Sequence, residues 1–151
     1  MSIFFPVKIM KIVDGAKYNG VVYDQYVTVR SVDAQQITLF DQSCLIKDEM
    51  KGKNVKISAQ IFTGINFKPG KNITKKYEIV QPLYANAALK GKLLSLKVKG
   101  AEYKELEGLL GVGGAKFYFD CLFVKNLKNG DFVSIGSRKD LYRLDISDVK
   151  K

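Results

Sequence analysis

Apolar and polar side chains alternate with a period of two along much of this chain. In Gln25–Val32, Val27, Val29 and Ser31 interleave with Thr28, Arg30 and Val32. In Val55–Phe62, Val55, Ile57, Ala59 and Ile61 point one way while Lys56, Ser58 and Gln60 point the other. This is the pattern of half-buried antiparallel strands. Short runs rich in β-branched and aromatic residues predict further strands at Val7–Val13, Gln36–Phe40, Tyr77–Val80, Leu93–Val98, Lys116–Val124, Phe132–Ile135 and Leu141–Ile146. Turn chemistry separates them at Asp14-Gly15, Asn19-Gly20, Asp33-Ala34, Pro69-Gly70, Gly113-Gly114 and Asn129-Gly130. Helical signals are sparse. A turn or two is expected at Ile46–Lys51, and an amphipathic piece over Tyr103–Leu110 that Gly111 would stop. The expected class is all-β with short helical connectors.

The chain also carries an internal echo. Leu39-Phe40-Asp41, Cys44-Leu45-Ile46-Lys47-Asp48 and Lys51-Gly52-Lys53-Asn54-Val55-Lys56-Ile57 read like Tyr118-Phe119-Asp120, Cys121-Leu122-Phe123-Val124-Lys125-Asn126 and Asn129-Gly130-Asp131-Phe132-Val133-Ser134-Ile135. In both copies a strand ending in aspartate leads through an apolar connector and a glycine turn into another strand. Two copies of one small β unit would account for this; chance similarity between short β segments is the rival explanation.

Each half can be written as five strands with a connector before the fourth. With the turn-strand pieces around Gly52 and Gly130, and Arg143-Leu144-Asp145 in the closing strand, this layout resembles the OB-fold, a small Greek-key β-barrel. The resemblance is one of architecture and points to no particular family. It implies two tandem OB-like units, residues 1–82 and 83–151, with a single β domain as the alternative. The second half departs from it at Lys99–Gly114, where a clean second strand is missing.

Charge sharpens the picture. The formal net charge is +10, and all of it arises in one stretch: between Lys51 and Glu105, twelve lysines stand against two acidic residues, while both flanks are close to neutral. A polyanion responds to such local potential, because clustered cations release its counterions. The basic residues are 22 lysines and three arginines, which disfavours bidentate base reading and implies weak sequence preference. A lysine-rich face can also serve only to keep a protein in solution.

Catalysis has little support. Histidine is absent, removing the commonest general base and metal ligand. Cys44 and Cys121 stand far apart without a Cys-x-x-Cys partner, so neither a zinc site nor a disulfide framework is expected. Gly111-Val112-Gly113-Gly114 lacks the lysine-serine/threonine ending of a phosphate-binding loop and reads as a hairpin or barrel corner. No cofactor or metal is expected. No apolar run reaches the ~18 residues of a spanning helix, and Met1–Pro6 is too short for a secretory signal's apolar core. The expectation is a cytoplasmic protein without membrane contact.

OB-folds that bind oligonucleotides use the faces of strands 2 and 3 and the loops joining strands 1–2 and 4–5. Carried onto the first half, the resemblance implies loops Asp14–Asp24, with Lys17, Tyr18 and Tyr23, and Thr63–Lys76, with Phe67, Lys68, Lys71, Lys75 and Lys76. Tyr77, and Lys90, Lys92, Lys97 and Lys99 of the following segment, would extend the groove, with Tyr84 a further candidate ring. Lysines would follow the phosphates and rings would stack on bases. Tyr26 and Phe40 are expected in the core or on a sheet face. The expected function is non-enzymatic binding of single-stranded DNA or RNA. The alternative is a structural or adaptor module that meets an acidic protein or self-associates through exposed strand edges.

Overall fold

Nearly every alternating segment becomes a strand. The computed structural model describes residues 3–62, 69–83, 85–99, 105–122, 127–136 and 142–150. Its strands are β1 (Phe5–Asp14), β2 (Lys17–Tyr18), β3 (Val21–Val22), β4 (Gln25–Ser31), β5 (Gln36–Asp41), β6 (Asn54–Phe62), β7 (Gly70–Lys71), β8 (Glu78–Leu83), β9 (Asn86–Lys99), β10 (Glu105–Val112), β11 (Ala115–Leu122), β12 (Phe132–Ile135) and β13 (Arg143–Lys150). The protein is all-β, with one large mixed sheet and a small β2–β3 hairpin.

β1, β4 and β5 form an antiparallel meander, paired from Val7↔Ser31 to Asp14↔Gln25 with a register shift between Ile9 and Lys11, and in register from Gln25↔Asp41 to Arg30↔Gln36. β6 returns beside β1, with Phe5↔Ile57 and Lys8↔Asn54. Three consecutive strands with a fourth beside the first is Greek-key order. β13 then runs antiparallel to β6, from Arg143↔Phe62 to Lys150↔Lys56, and meets β5 in parallel at Asp145↔Phe40. The pairings therefore close into a ring, β1–β4–β5–β13–β6 and back to β1. Every second residue of β4 and β5 is buried, and Ile9 of β1 and Ile57 of β6 join Val27, Val29, Ile37 and Leu39 inside.

Strands β7 to β12 lie between β6 and β13 in the chain. Beyond the β1 pairing, the same edge of β6 accepts β11 in parallel at Phe117↔Ala59. From there β11, β10 and β9 pair antiparallel. β9 also carries β8 and β12, and β12 carries β7. β9 rejoins β13 at Asn86↔Arg143, where Ala87 N donates to Tyr142 O at 2.9 Å and Leu144 N to Ala85 O at 2.7 Å. A second circuit, β6–β11–β10–β9–β13, thus shares β6 and β13 with the first. One apolar core runs through both. Phe5 and Phe117 join them edge to face, with ring centroids 6.0 Å apart.

Several expectations differ from this arrangement. Tyr77–Val80, expected to close a first five-strand unit, leads into β8 and pairs with β9. Leu141–Ile146, expected to close a second, contributes β13, which instead completes the ring with β5 and β6. Local alternation specifies a strand but leaves its partner open, and Leu144 and Ile146 bury equally well against β6.

Of the expected helical pieces, the described residues keep one short turn, within Ile46–Lys51. Among the described residues there is no α-helix, only a three-residue 3-10 turn at Asp48–Met50. The piece expected as helix over Tyr103–Leu110 is instead largely strand β10, its first two residues lying outside the described set. Because Leu106, Leu109, Leu110 and Val112 are all buried, this central strand reads as a near-continuous apolar run, which mimics a helical face. Gly108 is required there for space. A Cβ on it would stand 2.3 Å from the ring of Phe119, directly across the ladder.

Among the described residues the echo keeps its strands, β5 and β11 before and β6 and β12 after, and its glycine turns. Gly52 and Gly130 both adopt positive φ, 80° and 88°, before β6 and β12. The two aspartates have different roles. Asp41 is fully buried and accepts hydrogen bonds from Leu45 N (2.9 Å), Ile46 N (2.8 Å) and Gln25 Nε2 (2.9 Å). Asp120 is exposed on β11, opposite Glu107.

Candidate nucleic-acid interface

The β7–β12–β9 ladder gathers part of the lysine-rich stretch. Phe132↔Lys92 and Ser134↔Lys90 are directly opposed, so these four side chains leave the same face while Val133, Ile135, Leu89 and Gly91 are buried. The Lys92 ammonium stands over the Phe132 ring, 5.8 Å from its centroid. The Tyr77 ring also packs near Phe132, centroid to centroid 6.0 Å and tilted by 45°. Beside Phe132 opens a groove of about 620 Å³ lined by Lys71, Ile73, Lys75, Leu127 and Asp131. Ile73, in the same loop, is 89% exposed.

The loop carrying these lysines is braced from inside. Asn72 is buried; its Nδ2 donates to Lys76 O at 2.8 Å, its Oδ1 accepts from the Thr74 hydroxyl at 3.2 Å, and its backbone N–H donates to Phe132 O at 3.3 Å. Lys75 takes a left-handed conformation, φ 53°, to complete the turn. The carboxylate of Asp131 accepts from Lys128 N at 3.0 Å and so belongs to the adjoining turn.

A second cluster lies on the outer face of the ring. Tyr26 and Phe40 are directly opposed on β4 and β5, with centroids 5.4 Å apart. The Arg143 guanidinium packs against Phe40 at 4.6 Å and against Phe62 at 4.9 Å. Its Nε and Nη2 donate to the two oxygens of Asp145, at 2.8 and 3.1 Å. Burial pushes the Asp145 carboxyl above the ordinary aspartate range, with the hydrogen bonds and charge of Arg143 pulling the other way. Rings flanking a guanidinium give a surface on which bases can stack.

The chain matches no known family model and no curated protein.

The expected site residues divide as follows. Lys71, Lys75, Tyr77, Lys90 and Lys92 share the Phe132 neighbourhood, and Lys76 adjoins Tyr77 in the same loop. Lys17, Tyr18 and Tyr23 sit on or beside the β2–β3 hairpin, whose Asn19-Gly20 turn takes φ of 50° and 77°. Both tyrosines there are more than half exposed, while Lys17 is paired with Asp14 at 3.0 Å. Lys97 faces Glu107 across the β9–β10 ladder and belongs to a smaller groove with Ser95 and Tyr118. Lys99 ends β9 opposite Glu105. Phe67, Lys68 and Tyr84 lie outside the described residues.

Sequence reasoning missed Phe132, Phe62 and Arg143. The alternation Phe132-Val133-Ser134-Ile135 was a usable signal, since with Val133 and Ile135 inside, Phe132 must face out. Phe62 and Arg143 carried none, because they meet only through the β6–β13 pairing. Among the described residues no three His, Cys, Asp or Glu side chains are grouped to hold a metal ion, and no helix is long and apolar enough to cross a membrane.

Proposed function

We propose that this chain is a non-enzymatic binder of single-stranded nucleic acid, built on an OB-like barrel made by β1, β4, β5, β13 and β6. On this reading the segment from β7 to β12 is a large insertion in the loop before the fifth barrel strand. The Greek-key order and the closed circuit of pairings support the barrel. The observation that carries the function is the Lys92–Phe132–Tyr77 cluster beside Lys71 and Lys75. It joins exposed cations to ring faces, as a single strand with charged phosphates and unpaired bases requires. Both rings keep part of their surface exposed.

Fluorescence anisotropy of labelled single-stranded oligonucleotides over a series of salt concentrations tests this. With about four lysines on phosphates, log K should fall against log salt with a slope of about −3. Absence of binding at low salt overturns the proposal.

A further inference from the structure

The register of the strands places the two clusters on one uninterrupted outward face. Arg143 is directly opposite Phe62 on one side and Asn86 on the other, and directly opposed residues point to the same face. Along β9 that face continues through Asn86, Ala88, Lys90 and Lys92, with Ala87, Leu89 and Gly91 turned into the core. Neighbouring strands add Val80 opposite Ala88, Glu78 and Ser134 opposite Lys90, and Phe132 opposite Lys92. At the far end, Phe40 packs against Arg143, and the Tyr26 ring, tilted by 56°, against Phe40. The contour from Phe40 to Phe132 is about 35 Å, one strand spacing plus six residues along β9 and the ring contacts at each end.

Two carboxylates lie on this path. Asp145 is held by both nitrogens of Arg143. Glu78 faces Lys90, so charge is weakest at the middle of the face and strongest at the Lys92 end, next to Lys71 and Lys75. The ends carry rings and the middle carries the small Ala88 and Asn86, a layout that stacks bases at two places and lets the backbone pass between them.

We infer that the ring and the inserted sheet form one track, and that its ligand is a single strand long enough to touch both Phe62–Arg143–Phe40 and Tyr77–Phe132. This rests on the proposed nucleic-acid function. The insertion thereby becomes half of the binding surface.

Oligothymidylates of about four and about twelve nucleotides, within the range a single OB-type unit occupies, provide the test. The longer strand should bind at least about tenfold more tightly. Phe62→Ala and Phe132→Ala should each weaken its binding by about tenfold, the equivalent of about 1.4 kcal/mol. The short strand should respond to only one of the two substitutions. Both rings are solvent-facing, and unchanged thermal melts would show that each variant folds; Lys92→Gln gives a second probe of the same end. Equal affinity for the two lengths, or loss from only one variant with the longer strand, overturns the track while leaving the function standing. Failure of both lengths to bind at low salt overturns the function as well.

Discussion

The side-chain amide of Gln81 pairs with the backbone of Thr38 as a neighbouring strand would: Thr38 N donates to Oε1 at 2.8 Å and Nε2 donates to Thr38 O at 2.7 Å. This happens where the ring is weakest. β5 and β13 share only the Asp145↔Phe40 pair, and Arg143, two residues back, has turned to Asn86 of β9. Gln81 therefore satisfies an edge that β13 leaves open, and ties the inserted β8–β9 hairpin to the ring.

Replacing Gln81 with leucine should cost about 1–3 kcal/mol, because it strands a donor and an acceptor of the Thr38 backbone. Chemical denaturation measures this. A loss within ±0.5 kcal/mol, ordinary for a surface site, would mean that water serves the edge equally well.

Asp41 should be the most sensitive polar residue of the ring. Asp41→Ala leaves the backbone N–H groups of Leu45 and Ile46 and one Gln25 donor without their acceptor. The expected loss is about 3 kcal/mol or more, since hydrogen bonds to a charged group contribute about 1.5–3 kcal/mol each and do not simply add. A folded variant of near-normal stability by calorimetry would contradict this.

Asp145 makes stability depend on pH. Its folded-state value lies above the ordinary 3.8, chiefly through burial, so the native state takes up the proton before the unfolded chain does. As pH falls from above the folded value towards 3.8, the protein should gain stability relative to Asp145→Asn, and the difference should level off below that window. Denaturation of the two proteins across this range shows the sign. A relative loss of stability on acidification would mean that the Arg143 pair outweighs burial.

Among the lysines, position should matter more than number. Lys92→Glu should weaken single-strand binding and reduce the salt slope by at least about 0.7, the share of one phosphate contact on a single strand. Lys97→Glu should leave both nearly unchanged, because Lys97 already faces Glu107 and lies five residues along β9 from Lys92, in a separate groove with Ser95 and Tyr118. Equal effects from the two changes would point to net charge alone.

The strands were largely legible because each buries one face, and alternation such as that of Val27, Val29 and Ser31 states this residue by residue. β10 was not, because Leu109 is buried on the face opposite Leu106 and Leu110, and the period disappears. Charge clustering singled out Lys71, Lys75, Lys90 and Lys92, whereas Phe62 and Arg143 are 81 residues apart and meet only by pairing. Phe132 sat within reach of the alternation rule, but the cluster it forms with Tyr77 and Lys92 depends on β12 finding β9.

Amide chemical-shift mapping of isotope-labelled protein titrated with a single-stranded oligonucleotide tests the central claim most directly. The expected perturbations follow β9 from Asn86 to Lys92, β12 at Phe132 and Ser134, and β13 at Arg143, with Lys97 and Glu107 unmoved. Shifts confined to other surfaces, or none at low salt, would contradict it.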